Sequence, residues 1–144
     1  MSKVYETAAC VRFFGEDLDP EEIKRMLGKN PTKSERKGDV IVNSKTGNKR
    51  TARVGVWLYG VERKQPGDLD AQISEIFGAL SNDLKIWEKL SKKYRADVFV
   101  GIFMHYENEG VSLAPETLKM LAERNLLIDF DIYYYGDSED ECSP

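Results

Sequence analysis

Histidine occurs once in this chain, at His105, and cysteine twice, at Cys10 and Cys142. A single imidazole completes neither a metal set nor a catalytic triad. With no cysteine cluster and no Gly-rich phosphate loop, zinc-enzyme, hydrolase and kinase readings lose ground together. The segment GKNPTKS (28–34) has some look of a phosphate loop, but it lacks the second glycine before its last lysine and follows a helical pattern instead of a strand. Long apolar runs are missing as well. None approaches the roughly 18 residues that a membrane span needs, and MSKVYETAAC has neither the apolar stretch nor the cleavage pattern of a secretion signal. Cys10 sits in an apolar strand pattern and Cys142 in a polar tail, so no disulfide framework is visible. These absences point to a cytoplasmic protein with free thiols, for which the sequence names no cofactor, no metal ligands and no catalytic residues.

What is present suffices for one core: 144 residues, 41% hydrophobic and 10% aromatic. The expected organisation is a single α+β domain over residues 1–136 and an acidic, disordered tail over 137–144. That tail, DSEDECSP, holds four of the 25 acids; the 21 that remain match the 21 bases, so the net charge of −4 belongs to the tail and the body is neutral. Seven bases gather between Lys33 and Arg53 against Glu35 and Asp39. A solvated hairpin edge accounts for them, and the neutrality of the whole makes nucleic acid a disfavoured partner.

Period-two alternation predicts strands over 7–14, 96–106 and 126–135, with Ala9, Val11 and Phe13 sharing one face of the first. It also predicts a hairpin whose arms, 38–43 and 51–62, flank SKTGNK, where Gly47 is available for a positive φ. In the second arm Trp57 and Tyr59 share a face with Arg53, opposite Val54, Val56 and Leu58. Helical spacing predicts four helices. The first opens at Asp19 as N-cap, with Pro20 next and Glu22 three residues after the cap, and Gly28 ends it. The second is capped by Asp68 and carries Leu69, Ile73, Ile76, Phe77 and Leu80; the third carries Leu84, Trp87 and Leu90. The fourth is opened by Pro115 and expected to turn Leu118, Leu121 and Ala122 inward. The architecture that follows is a largely antiparallel twisted sheet with about four helices on one face. LDPEEIKRMLGKN (18–30) and LAPETLKMLAERN (113–125) align without gaps. Shared helix-start chemistry and an old strand-helix-strand duplication both explain that echo.

The first strand, GEDLDPEEIKRMLG, Pro31-Thr32, Lys37-Gly38-Asp39, a strand containing Trp57 and a closing DIY at Asp131 to Tyr133 follow one another in an order that resembles the domain-of-unknown-function family 4279, from Thr7 to Tyr135. The resemblance implies a small bacterial single-domain α+β protein and brings no catalytic residues with it. The acidic tail and the long basic hairpin turn are not part of that pattern.

The functional signal lies in the second faces of the strands. If the helices cover the aliphatic faces, the other side gathers Arg12, Phe14, Arg53, Trp57, Tyr59, Phe99, Phe103, His105, Asp129, Asp131, Tyr133 and Tyr135. That set is too aromatic for a face turned to water. Its cover is a folded-over segment of the same chain, a protein partner or second copy, or a small molecule. Asp129 and Asp131, two residues apart on a strand, share a face at about 7 Å, close enough to split their pKa values or to pair with Arg12 or Arg53. The expected function is a noncatalytic protein-interaction module, of which masking a toxin is one version. The alternative is a small-molecule binder or weak enzyme using Asp129, Asp131 and His105.

Overall fold

The computed structural model describes residues 3–136; the acidic tail expected over 137–144 lies outside the described residues. In chain order the elements are β1 (Glu6–Gly15), α1 (Pro20–Leu27), β2 (Lys33–Glu35), β3 (Val40–Val42), β4 (Lys49–Thr51), β5 (Gly55–Gly60), α2 (Leu69–Ala79), α3 (Leu84–Lys93), β6 (Arg95–Met104), α4 (Pro115–Glu123) and β7 (Leu127–Tyr134). Five strands form one sheet in the order β2-β5-β1-β6-β7, and β3 and β4 pair separately. β1 is central because it is antiparallel to β5 on one side and to β6 on the other. β2 joins β5 antiparallel, and β7 joins β6 as the one parallel pair. A parallel neighbour requires a crossover, which α4 supplies. The fold is therefore α+β with an antiparallel-dominated sheet. No helix among the described residues is long and apolar enough to cross a membrane.

Burial alternates along β1: Thr7, Ala9, Val11 and Phe13 are buried, while Ala8, Cys10, Arg12 and Phe14 are half-buried on the opposite face. All four helices pack on the Phe13 side. Ile23 and Leu27 of α1, Ile73, Ile76 and Phe77 of α2, Trp87 and Leu90 of α3, and Leu121 of α4 share one core with Val11, Phe13, Trp57, Val98 and Val100. Each such side chain contributes roughly 1.5–3 kcal/mol when removed from water, so this single covered face holds the molecule together.

Local chemistry sets the helix ends. Asp19 accepts the Glu21 amide (3.0 Å), Asp68 that of Ala71 (3.1 Å) and Asp83 that of Lys85 (3.0 Å), satisfying amides that a helix start leaves unpaired. Gly28 ends α1 at φ 77°, a backbone region that glycine enters without penalty. Glu22 does not complete a capping box; its carboxylate takes hydrogen bonds from Lys93 and the Tyr94 hydroxyl, both 2.9 Å, and ties α1 to the end of α3. The two echo helices occupy like places. α1 joins β1 to β2, and α4 joins β6 to β7, each pair of strands running in one direction, with β5 inserted between the first pair.

Three expectations need correction. The long second arm of the hairpin is two strands, since β4 pairs with β3 while β5 enters the main sheet, and the chain bends at Arg53 and Val54 between them. β2 was not anticipated at all. α4 buries Thr117 and Leu121, with Arg124 buried at its C-cap, and leaves Leu118 and Ala122 exposed; the Thr117 hydroxyl donates to Asp70 of α2 (2.6 Å), which holds that face of the helix inward.

The β3–β4 hairpin stands at the β2–β5 end of the helix-free face. Arg50 of β4 donates to the buried carboxylate of Glu35 (2.7 Å), with Lys33 3.4 Å away. A cleft of about 910 Å³ beside them is lined by Lys33, Lys37, Arg50, Arg53 and Val56. The Arg50 hydrogen bond, with the positive charge of Lys33, holds the Glu35 carboxyl below its ordinary pKa of 4.5 despite its burial. A lowered carboxylate pKa stabilises the fold fully above the unfolded value, and that stability is lost as pH falls through the folded value. Urea titrations of wild type and Glu35→Gln are therefore expected to converge as pH drops below about 4, the wild type being more stable at neutral pH. Parallel curves at all pH values would remove this role.

Candidate functional site

Beyond the hairpin, the outer face of β1, β6 and β7 carries no helix among the described residues. Strand alternation brings Arg12 and Phe14 of β1, Asp97, Phe99 and Phe103 of β6, and Asp129, Asp131 and Tyr133 of β7 to this side. Register then decides the contacts. Arg12 is opposite Asp97, and its fork donates through Nε and one terminal nitrogen at 2.8 and 2.7 Å, a bidentate geometry that lysine cannot reproduce. Asp129 stands 3.7 Å from the same guanidinium, and the group lies 4.1 Å above the Phe99 ring and 5.1 Å from that of Phe14. Hydrogen bonding to Asp97 holds the Arg12 pKa above its ordinary value. Arg12 is thus a fixed cation framed by two rings and two carboxylates, and holding it costs little further ordering on binding.

At the other end of the face Phe103 lies flat over Gly101, where an added Cβ would approach the ring to 3.0 Å. The absent side chain is what permits this. Tyr133 and Tyr135 stack on Phe103 with centroids 5.2 and 6.0 Å away, and Arg63 covers the ring at 4.5 Å while pairing with Glu6 at 2.9 Å. The Tyr133 hydroxyl donates to Asp131, and that carboxylate raises the tyrosine's pKa. Cys10, half-buried on the same face, has its thiol pushed up to about 11 by burial, which keeps it protonated and unreactive.

The structure brings Arg12, Phe103, Asp129, Asp131 and Tyr133 together, as the alternation implied. It separates four others. Trp57 is fully buried and faces the helices, opposite Phe13, and Tyr59 packs on that same core. The parity within β5 was right, but the covered parity is the aromatic one. Arg53 precedes β5 and lines the hairpin cleft, so it does not pair with the aspartates. His105 lies past the end of β6, its ring 5.4 Å from Tyr5 and edge-on to Tyr106 at 4.9 Å, where Lys3, Gln65 and Glu109 share a cleft of about 570 Å³. Neither aspartate meets the histidine: one is engaged by Arg12, and the other accepts from Tyr133. Two contributors were missed. Asp97, the main partner of Arg12, was signalled by its parity with Phe99; Arg63 sits in a connector with no periodic signal.

The model of a protein family described as a domain of unknown function (DUF4279) matches residues 3–135. No curated protein and no solved structure matches the chain.

Proposed function

This chain belongs to the DUF4279 family, a domain of unknown function, and from that starting point we propose that it is a noncatalytic protein-interaction module working through the outer face of β1, β6 and β7. The observation that supports this is the composition of a face that no helix covers among the described residues: Arg12 fixed between rings, a Phe103–Tyr133–Tyr135 stack, and two carboxylates at its rim. Arginine and tyrosine are the residue types that anchor interfaces, and rings held in place by stacking lose little freedom when a partner covers them.

The test uses a double variant, Phe99→Ala with Tyr133→Ala, checked first for unchanged circular dichroism. A partner recovered with the wild-type protein is then titrated against both by calorimetry. Truncating two anchors is expected to raise Kd at least 30-fold, the effect of about 2 kcal/mol typical of interface anchors. A partner that binds both proteins equally would remove this face from the function.

A further inference from the structure

The two edges of the sheet are unlike. β2, at one end, has three residues, Lys33, Ser34 and Glu35, and is flanked by the hairpin through Arg50. Shortness, charge and a covering segment are the usual means by which an edge strand avoids pairing with another chain. β7, at the other end, is longer, carries only the charges of Asp129 and Asp131, and has no covering segment among the described residues. It runs eight residues as LIDFDIYY, without lysine, proline or glycine, and no strand lies beyond it among the described residues. Large apolar side chains are exposed on both of its faces: Leu127 (59%) and Tyr133 (43%) on the outer, Phe130 (41%), Ile132 (61%) and Tyr134 (52%) on the side of the helices. Since Tyr135 donates its backbone amide to Met104 of β6, alternation turns the backbone groups of Phe130 and Ile132 to the free side.

We propose that β7 is completed by β7 of a second copy, the two strands antiparallel about a two-fold axis at Ile132, to give a continuous ten-stranded sheet. The inference rests on the reading of this protein as an interaction module and names its partner as itself. Charge limits the registers in which a second copy of this strand fits. An antiparallel pair centred on Phe130 sets Asp129 against Asp131, and one centred on Asp131 sets that carboxylate against itself; like charges directly opposite destabilise a sheet. Centring on Ile132 removes both conflicts. Asp131 then faces Tyr133, Asp129 faces Tyr135, and Phe130 faces Tyr134. Ile132 meets its own copy, and the outward backbone groups of Phe130 and Ile132 fall in hydrogen-bonded positions. A chain whose edge is complementary to itself in a register free of opposed charge has its partner in its own sequence.

The experiment combines sedimentation equilibrium of the full chain with amide exchange at Phe130 and Ile132. Wild type is expected to move from 16.4 kDa towards twice that mass with rising concentration, with slowed exchange at both amides. Ile132→Lys, which places two ammonium groups on the axis, is expected to stay monomeric with fast exchange and to melt like the wild type at concentrations low enough for the wild type to be monomeric too; Ile132→Asn replaces it if the lysine variant fails to fold. A wild type that stays monomeric to about 1 mM overturns the proposal, as does a dimer that survives both substitutions or forms without protecting these amides. If the monomer instead protects them on adding another protein, the self-pairing fails while the interaction reading stands; if that protein also leaves the face variant's Kd unchanged, the reading of the outer face fails with it.

Discussion

Trp57→Ala is expected to lower the unfolding free energy by about 3–5 kcal/mol, the usual cost of emptying the place of a buried aromatic ring. Trp57 is fully excluded from solvent at the centre of β5. Its ring meets Phe13 edge-on at 5.8 Å, and Phe13 in turn stacks on Trp87 at 6.0 Å, so Trp57 is the β5 end of an aromatic chain that runs through β1 to α3. Removing it leaves a cavity that α1 and the sheet cannot both close, because each is held by further contacts of its own. The measurement is a denaturant titration, with a reduced midpoint at unchanged slope. Tyr133→Ala serves as the contrast: at 43% exposure its loss is expected to stay within about 1 kcal/mol. A Trp57→Ala protein as stable as wild type would place Trp57 outside the core. The distinction matters for function, since lost binding in Trp57→Ala reports a damaged fold, whereas lost binding in Tyr133→Ala reports a surface.

That contrast marks how far the sequence could be read. Period two states which residues of one strand share a face, and it was correct within β1, β5, β6 and β7. It cannot say which face of β5 matches which face of β1. The relation is set by register, Phe13 opposite Trp57, and register is a contact between residues 44 positions apart in sequence. With Val56 and Leu58 on one side and Trp57 and Tyr59 on the other, both faces looked fit for burial, so the local pattern held no deciding cue. In α4 the misleading cue was hydropathy. Leu118 outranks Thr117 on any apolar scale, but Thr117 bonds to Asp70, and Arg124 then lays its guanidinium over Phe77 at 4.5 Å. The helix caps were legible because capping is decided within four residues, whereas the aromatic stack depends on Gly101, Phe103, Tyr133 and Arg63 meeting from three separate segments.

Gln72→Leu is expected to cost about 2–3 kcal/mol although leucine fills nearly the same volume. Gln72 is completely buried on α2, beneath β1. Its side-chain oxygen accepts the Thr7 hydroxyl at 2.6 Å, and its nitrogen donates to the carbonyls of Thr7 (3.0 Å) and Glu62 (2.9 Å). Thr7 passes the connection on, accepting the Asp68 amide at 3.0 Å where α2 begins. Leucine would leave the Glu62 carbonyl and the Thr7 hydroxyl facing an apolar group in a closed site, and unmade hydrogen bonds there carry the full cost of lost hydration. Added apolar contact offsets part of this, so a variant as stable as wild type would mean that packing, not hydrogen bonding, holds α2 to β1. A second consequence separates the two. The connector from 61 to 68 is tied to β1 through Gln72 and the paired amides of Thr7 and Lys64, and it carries Arg63 over Phe103 and onto Glu6. Faster amide exchange at Lys64 in Gln72→Leu, under conditions where the core amides of Val98 and Val100 remain protected, is the expected sign that the clamp has opened locally. The outer face would then lose the arginine at its border while keeping Arg12, which is held by Asp97 on β6 and owes nothing to the connector.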